Sequence, residues 1–154
     1  MSRVVAKVDL GGPLASQAEA LWYDTTRWPA FIDGLHHVAR IEGDWPHEGS
    51  RVVWDSHPGG RGRVMERVEA YEARSGQTLA VEDEKIRGTQ RVAFRPREGG
   101  VTVALELDYE LKRRRPLMAI VDLLFIRRPQ RESLERTLRR FATELRDEVA
   151  ENPV

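Results

Sequence analysis

The sequence of 154 residues contains no cysteine, which excludes a disulfide scaffold, a thiol nucleophile and a cysteine-ligated metal. Long hydrophobic runs are also missing. The longest, residues 117–126, is interrupted by Asp122 and falls well short of the roughly 20 residues that a membrane-spanning helix needs. The opening MSRVVAKVDLGG lacks the apolar core of a signal peptide, so we expect a cytoplasmic protein. The length fits a single domain over residues 1–150, with a short tail at residues 151–154.

An overall excess of one charge is absent as well, because 25 Lys and Arg residues balance 25 Asp and Glu residues. The balance hides a basic region, since residues 112–146 contain eleven Lys or Arg and four Asp or Glu. Such a region indicates either a solvated helix surface or an attraction for an anionic partner. No aromatic residues alternate with the arginines, so we expect no nucleic-acid partner.

Catalytic and cofactor motifs of fixed spacing do not occur. None of HExxH, GxSxG, GxGxxG or GxxxxGK[ST] is present, which leaves zinc proteases, α/β-hydrolases, dinucleotide-binding proteins and P-loop proteins without support. Asp55 and His57 share one face of a predicted strand and would supply two metal ligands, or a base with its orienting acid. Two ligands do not complete a site, so we predict neither a metal nor a cofactor.

Alternating apolar residues predict seven β-strands. In residues 3–10, one face carries Val4, Ala6, Val8 and Leu10. Six further strands, separated by short turns, are predicted at residues 36–43, 50–57, 61–73, 77–85, 88–96 and 100–112. These turns are too short for parallel crossovers, so we expect an antiparallel meander with one dry face.

Helical patterns stand before and after this run of strands. Ser16 and Glu19 form a capping-box pattern at the start of a short helix, and Trp28-Pro29 indicates a second helical turn. A long C-terminal helix is predicted by an apolar stripe of residues three or four apart, namely Leu134, Leu138, Phe141, Leu145 and Val149. Pro129 predicts a kink or break between residues 117–127 and residues 130–150.

This order of elements resembles a known group of proteins. The segment LASQAEALWYDTTRWPAFI at residues 14–32 and the C-terminal RPLMAIVDLLFIRRPQRESLERTLRRFATEL at residues 115–145 are similar to the START-like superfamily, and within it to the SRPBCC or polyketide cyclase/dehydrase-type family. The resemblance implies an α+β helix-grip fold, in which a seven-stranded antiparallel curved sheet wraps around a long C-terminal helix, with two short helices between strands 1 and 2. It also implies a cavity between sheet and helix for a hydrophobic small molecule.

Ligand contacts are expected on the inward faces of these elements. Trp28 and Phe31 flank the second short helix, which the helix-grip arrangement puts near the cavity entrance, so they are candidate gate residues. The full set of candidate ligand-binding residues is Trp28, Phe31, His37, Ile41, Glu66, Phe94, Leu105, Tyr109, Leu117, Val121 and Leu124.

Two polar residues interrupt the inward faces. Glu66 lies between Val64 and Val68, and a buried carboxylate must be paired or protonated. Glu66 therefore meets an arginine, returns to water through a local bulge, or serves the ligand. Tyr109 ends an aliphatic row, either at the rim with its hydroxyl in solvent or as a ligand contact.

Three functions are consistent with the sequence. The first is binding or transport of a lipid, isoprenoid or polyketide-like compound in the cavity. The second is a cyclase or dehydratase that acts on an apolar carbonyl compound, with Glu66, Tyr109 or His37 as acid or base. The third is transient docking to a membrane surface through residues 112–131, where arginines bracket an apolar run.

Overall fold

The computed structural model describes residues 1–112 and 126–152. The helices and strands, with a short 3₁₀ turn at Thr25–Arg27, follow in the order β1 Ser2–Gly11, α1 Ala15–Tyr23, α2 Trp28–Phe31, β2 Leu35–Glu42, β3 Arg51–Ser56, β4 Arg63–Glu72, β5 Gly76–Glu82, β6 Ile86–Arg97, β7 Gly100–Leu111 and α3 Arg127–Glu151. The predicted order of strands and helices is confirmed within the described residues. The predicted candidates Leu117, Val121 and Leu124 lie outside them.

The seven strands form one antiparallel sheet in the order β1-β7-β6-β5-β4-β3-β2. Strands β2 to β7 are sequential neighbours, and β1 pairs along its whole length with β7, from Ser2 opposite Tyr109 to Gly11 opposite Gly100. The curved sheet wraps around α3, which is the helix-grip fold expected from the sequence.

Strand β7 shows why one face of the sheet is dry. Its apolar residues alternate with polar ones, and the inward residues Val101, Val103, Leu105, Leu107 and Tyr109 are all buried. Because successive side chains of a strand point to opposite faces, this alternation places one row in the core and the other at the surface. Tyr109 is fully buried, so it does not lie at a rim with its hydroxyl in solvent, which was one of the two predicted positions.

Helix α3 packs against β1 and α2 with the apolar stripe expected from the sequence. Leu134, Leu138, Phe141 and Leu145 are buried, and the ring of Phe141 contacts Trp22 at 5.4 Å and Phe31 at 5.3 Å between centroids. Aromatic pairs of this kind contribute about 0.5–1.5 kcal/mol beyond the burial of their area. This aromatic cluster joins α1, α2 and α3 into the cover of the sheet.

Pro129 does not interrupt α3, which runs without a break from Arg127 to Glu151. The proline stands in the first turn of the helix. The N–H groups of a first turn have no acceptor within the helix, so the missing N–H of proline costs no helical hydrogen bond there. The predicted kink or break separates residues 117–127 from residues 130–150, and residues 113–125, on its N-terminal side, lie outside the described residues.

Helix α1 begins one residue before the predicted cap. Gln17 Oε1 accepts a hydrogen bond from the Leu14 N–H at 2.8 Å, which is the role that the sequence assigned to Glu19. Glu19 instead accepts hydrogen bonds from the Arg74 N–H and the Tyr71 hydroxyl, and so fastens α1 to the turn between β4 and β5.

Strand β2 departs from the expected alternation. Its pairing with β3 shifts register between Leu35 and His37 and again between Val38 and Arg40. Each shift changes the face to which the following residues point. Leu35 is buried, whereas His37, after the first shift, is exposed, so the expectation that His37 faces the interior is wrong. Ile41, after the second shift, is opposite the buried Val52 and keeps the inner face, where it is 44% exposed on the edge strand.

None of the helices in residues 1–112 and 126–152 has both the length and the apolar character that a membrane crossing requires.

Candidate functional site

A narrow space lies between the inner face of the sheet and the helices that cover it. Its volume is about 30 Å³, which is comparable to one water molecule. Helices α1, α2 and α3 and strands β3 to β7 supply its described lining. The apolar members include Trp22, Trp28, Leu79, Leu105, Leu107 and Leu134, and the polar members include Trp54, Arg61, Glu66, Gln90, Ser133 and Thr137.

Glu66 is the ionisable group of this lining that lies deepest in the sheet. It points inward between Val64 and Val68 and is only 6% exposed. The register shift of β4 comes later, between Val68 and Ala70, so no bulge returns Glu66 to water. Burial raises the pKa of the Glu66 carboxyl to about 6, and the Trp54 indole N–H and the Arg61 guanidinium oppose this rise.

Two buried hydrogen-bond donors lie beside the Glu66 carboxyl. Trp54 Nε1 and Arg61 Nη2 are buried and lack a hydrogen-bond partner among the described residues. The indole N–H influences the pKa of Glu66 without reaching hydrogen-bond geometry. A buried donor without a partner costs about 1–3 kcal/mol. The polar end of the space therefore presents donors that an acceptor atom of a ligand would satisfy.

Arg61 is held in place from its other side. Its Nε donates to Asp83 Oδ2 at 2.7 Å, and its guanidinium carbon lies 5.5 Å from the centroid of the Trp54 ring. Asp83 is itself buried and accepts the backbone N–H groups of Lys85 and Ile86. The loops before β4 and β6 thus fix the guanidinium at the edge of the space, and no described residue accepts a hydrogen bond from its Nη2.

Helix α3 is fastened over the space through Asp33, in the loop between α2 and β2. Burial alone would raise the pKa of Asp33, but hydrogen bonds from Arg136 and Ser133 and the nearby charge of Arg140 hold it below its usual range. The Asp33 N–H also donates to Thr137 Oγ1 at 2.9 Å. These contacts position the part of α3 that closes the cavity.

The two expected gate residues are both buried. Trp28 lines the space, and its Nε1 donates to the Trp22 carbonyl at 2.8 Å. Phe31 packs between Trp22 and Phe141 in the aromatic cluster and is not part of the described lining. In this conformation they belong to the closed cover of the sheet rather than to an exposed entrance.

The structure brings together only some of the other candidates. Leu105 and Glu66 line the same space. Phe94 is buried but contacts Tyr23 at 5.9 Å between ring centroids, away from the polar end. Tyr109 lies on the same cross-strand row as Glu66, through Val81 and Gly88, but three strands away. At about 4.8 Å per strand, their backbones are about 14 Å apart.

Sequence reasoning missed the two residues that surround Glu66. They are Trp54 and Arg61. The only available signal was the inward carboxylate of Glu66, which demanded a cationic or donor neighbour. Nothing local to Arg61 distinguishes it from the other arginines, because its position depends on Asp83, far away in sequence.

Asp55 and His57 do not form a site. Asp55 is bound to Arg63 through both carboxylate oxygens, and His37 Nε2 lies 3.2 Å from Asp55 Oδ2. Arg63 holds the pKa of Asp55 below its usual range. His57 packs on His36 instead. In residues 1–112 and 126–152, no group of three or more His, Asp or Glu side chains is arranged to hold a metal ion.

Residues 3–146 match a protein family described as polyketide cyclase/dehydrase and lipid transport. The match covers most of the chain, including every strand. No curated protein is significantly similar in sequence.

Solved structures share the fold at low sequence identity. A conserved protein from Geobacillus kaustophilus gives a TM-score of 0.74 at 11% identity, with 95% of this chain and 96% of that chain covered. A START superfamily protein from Mycobacterium smegmatis gives 0.72 at 13%, with 94% and 97% covered. Norcoclaurine synthase from Thalictrum flavum, in complex with dopamine and hydroxybenzaldehyde, gives 0.69 at 13%, with 99% and 88% covered.

Proposed function

The chain belongs to the polyketide cyclase/dehydrase and lipid transport family, and we propose that it binds a hydrophobic small molecule between the sheet and α3. Candidate ligands are a lipid, an isoprenoid or a polyketide-like compound. We further propose that the ligand carries a hydrogen-bond acceptor, such as a carbonyl, at one end.

The observation that carries this proposal is the pair of buried donors at Trp54 Nε1 and Arg61 Nη2. They stand beside a carboxyl whose pKa is raised to about 6, in a lining that is otherwise largely apolar. The apolar part of a ligand would contact the rest of the lining, and its burial contributes roughly 25 cal/mol of binding free energy for each Å² of apolar surface removed from water. An acceptor atom at its end would remove the cost of the unpaired donors.

Binding requires the space to expand. Sites for small molecules usually measure about 300–1,000 Å³, whereas the described space measures about 30 Å³. Two sets of ion pairs oppose expansion. Asp33 binds side chains of α3, and Arg61 binds Asp83 and so joins the loops before β4 and β6. We propose that the ligand enters when one of them is released, so that binding competes with these ion pairs.

Catalysis is the second candidate, and one observation favours it. A carboxyl with a pKa of about 6 holds a proton over part of the physiological range and can donate it to a carbonyl oxygen. His37 is exposed on β2 and takes no part at this site. A cyclase or dehydratase on this scaffold would therefore depend on Glu66 as its acid. The norcoclaurine synthase of similar fold holds hydroxybenzaldehyde, which is a carbonyl compound.

A matched pair of probes tests the proposed acceptor. 2-Acetonaphthone and 2-ethylnaphthalene have similar size and shape, but only the ketone carries an acceptor. We expect the ketone to displace an environment-sensitive dye from the protein at a concentration about tenfold lower than the hydrocarbon, which corresponds to one hydrogen bond of about 1.4 kcal/mol.

Trp54→Phe should reduce this advantage, because it removes one of the two donors and keeps most of the ring. Trp45→Phe is the control, since Trp45 Nε1 donates to the Tyr23 carbonyl outside the cavity lining. Native mass spectrometry of the purified protein, followed by solvent extraction, identifies any ligand that co-purifies. If the dye does not bind, or if both probes displace it equally from the unmodified protein, the proposal is wrong.

A further inference from the structure

The face of the sheet that points away from α3 carries a groove of about 490 Å³. Its described lining comes from Met1 and from β2 to β7, and includes Arg51, Val53, Met65, Arg67 and Ala80. We name it the outer groove. Its volume falls within the usual range for small-molecule sites, whereas the space on the inner face is far smaller.

An apolar strip forms part of the outer groove. Val53 pairs with Met65 across β3 and β4. Val53 is only 3% exposed although its neighbours Val52 and Trp54 belong to the inner core, so alternation places Val53 on the outer face. Met65 is 47% exposed beside it. The outer face of an antiparallel sheet is usually polar, and this strip departs from that pattern.

Two arginines stand side by side next to the apolar strip. Arg51 and Arg67 are directly opposite each other on β3 and β4. They are two residues along their strands from Val53 and Met65, and therefore on the same face of the sheet. Both side chains are exposed, and neither forms an ion pair with a described residue. Like charges directly opposite on neighbouring strands destabilise the pairing.

The carboxylates around the groove do not compensate these two arginines, because each is paired with another cation. Glu42 lies opposite Arg51 in the pairing of β2 with β3, but its carboxylate is bound by Arg40 at 2.8 Å. Glu82 is bound by Lys112 at 2.7 Å. On the far side of the groove, Glu110 is held by Arg87 at 3.5 Å. Arg51 and Arg67 are therefore the cations of the groove's β3 and β4 that have no ion pair with a described residue.

We propose that the outer groove binds a small amphipathic anion, with its carboxylate or phosphate between Arg51 and Arg67 and its apolar chain along Val53 and Met65. Guanidinium groups bind both kinds of oxyanion through paired hydrogen bonds, and an anion here relieves the repulsion between the two cations. The carboxylates at the margins repel an extended anionic surface, which favours a single small ligand over a membrane. This site lies on the opposite side of the sheet from the cavity of the proposed function and does not depend on it.

Octyl phosphate, below its critical micelle concentration, is the probe that tests the site. Titration calorimetry measures its affinity, and ¹H–¹⁵N correlation spectra locate it. We expect shifts in the amides of β3 and β4 around Arg51, Val53, Met65 and Arg67. Inorganic phosphate and 1-octanol each supply half of the ligand, and each should bind at least tenfold more weakly.

The double variant Arg51→Gln/Arg67→Gln should weaken octyl phosphate binding at least tenfold. The matched control is Arg95→Gln/Arg146→Gln, which removes the same charge from exposed positions outside the outer groove and should bind normally. Trp54→Phe, which alters the inner cavity, should also bind normally. Because Trp54 lines only the inner cavity, octyl phosphate binding that is unchanged in this variant belongs to the outer groove, whether or not the proposed function of the cavity is correct.

Three results would overturn the proposal. Equal loss in both double variants would mean that only net charge matters. Shifts confined to residues of the inner lining would assign the probe to the cavity. Flotation with phosphatidylglycerol vesicles that depends on Arg51 and Arg67, without binding of octyl phosphate, would assign the arginines to a membrane surface.

Discussion

The guanidinium of Arg136 donates two hydrogen bonds to the carboxylate of Asp33, from Nε to Oδ1 at 3.1 Å and from Nη2 to Oδ2 at 3.0 Å. Ser133 and Arg140 bind the same carboxylate at 2.7 Å and 3.1 Å. One acidic side chain therefore fastens three positions of α3 to the loop before β2. This contact determines how firmly the helix covers the inner face of the sheet.

Asp33→Asn should lower the free energy of unfolding at pH 7 by about 2 kcal/mol, because hydrogen bonds to a charged group contribute more than neutral ones. The pKa of Asp33 is lowered in the folded protein, so this stabilisation is present above the ordinary aspartate pKa and is lost as the pH falls through the lowered value. Urea denaturation at pH 7 and pH 3 measures both effects. Asp44→Asn, at an exposed position, is the control and should be neutral. Equal midpoints for Asp33→Asn and the unmodified protein at pH 7 would contradict the role assigned to Asp33.

Glu66→Gln should stabilise the protein above pH 6 and have little effect near pH 4. The folded pKa of about 6 exceeds the ordinary value of 4.5, so ionisation favours the unfolded chain. The cost grows as the pH rises from 4.5 through 6 and reaches about 2 kcal/mol, at 1.36 kcal/mol per pKa unit. Urea denaturation at pH 4 and pH 7.5 measures it. Glu69→Gln, exposed on the same strand, should show no such dependence on pH. A pH-independent difference for Glu66→Gln would show that the carboxyl is not buried as described.

Gly88→Ala should lower the free energy of unfolding by about 3 kcal/mol or more, a cost typical of substitutions that overpack a buried position. A Cβ at this position would overlap the carbonyl oxygen of Asp108 on β7. That oxygen belongs to the backbone and cannot move without disturbing the ladder. Gly11→Ala is the matched control, because a Cβ there meets no atom within 4 Å. Thermal denaturation compares the two variants. If both have the same melting temperature, β6 and β7 do not approach as closely at Gly88 as the structure indicates.

Leu105→Ala should enlarge the inner space at a cost of about 2–5 kcal/mol in stability. Leu105 is buried and lines the space beside the covering helices. The larger space should bind an apolar dye more tightly than the unmodified protein does. Fluorescence titration measures that affinity, and urea denaturation measures the stability. Leu14→Ala removes the same atoms from an exposed position and should change neither. A loss of stability with unchanged dye affinity would mean that the dye does not enter this space.

Strand β7 and helix α3 illustrate what was predictable from local pattern. The period of two in β7 and the recurrence of apolar residues every three or four positions in α3 each correspond to one buried face. The short turns between strands excluded parallel connections, which left the meander. The resemblance of residues 14–32 and 115–145 to START-like proteins added the helix-grip arrangement, and the family match supports it.

Strand β2 shows where local pattern failed. The first of its two register shifts reverses the face of His37, and such shifts depend on pairing with β3. The effect of Pro129 depends on where α3 begins. A proline in a first turn costs little, whereas one in the interior breaks the helix.

The amino-acid sequence by itself determined which residues form strands and helices, and which face of most of them is dry, because these properties depend on neighbours within a few positions. It also determined that an inward carboxylate at Glu66 needs a partner. Only the tertiary structure decided that this neighbour is Arg61, anchored by Asp83, and that Arg51 and Arg67 lie opposite each other on the outer face, without an ion pair to any residue of 1–112 or 126–152. The physical reason is that these neighbours come from different loops and strands, so their distances follow from the register and curvature of the whole sheet.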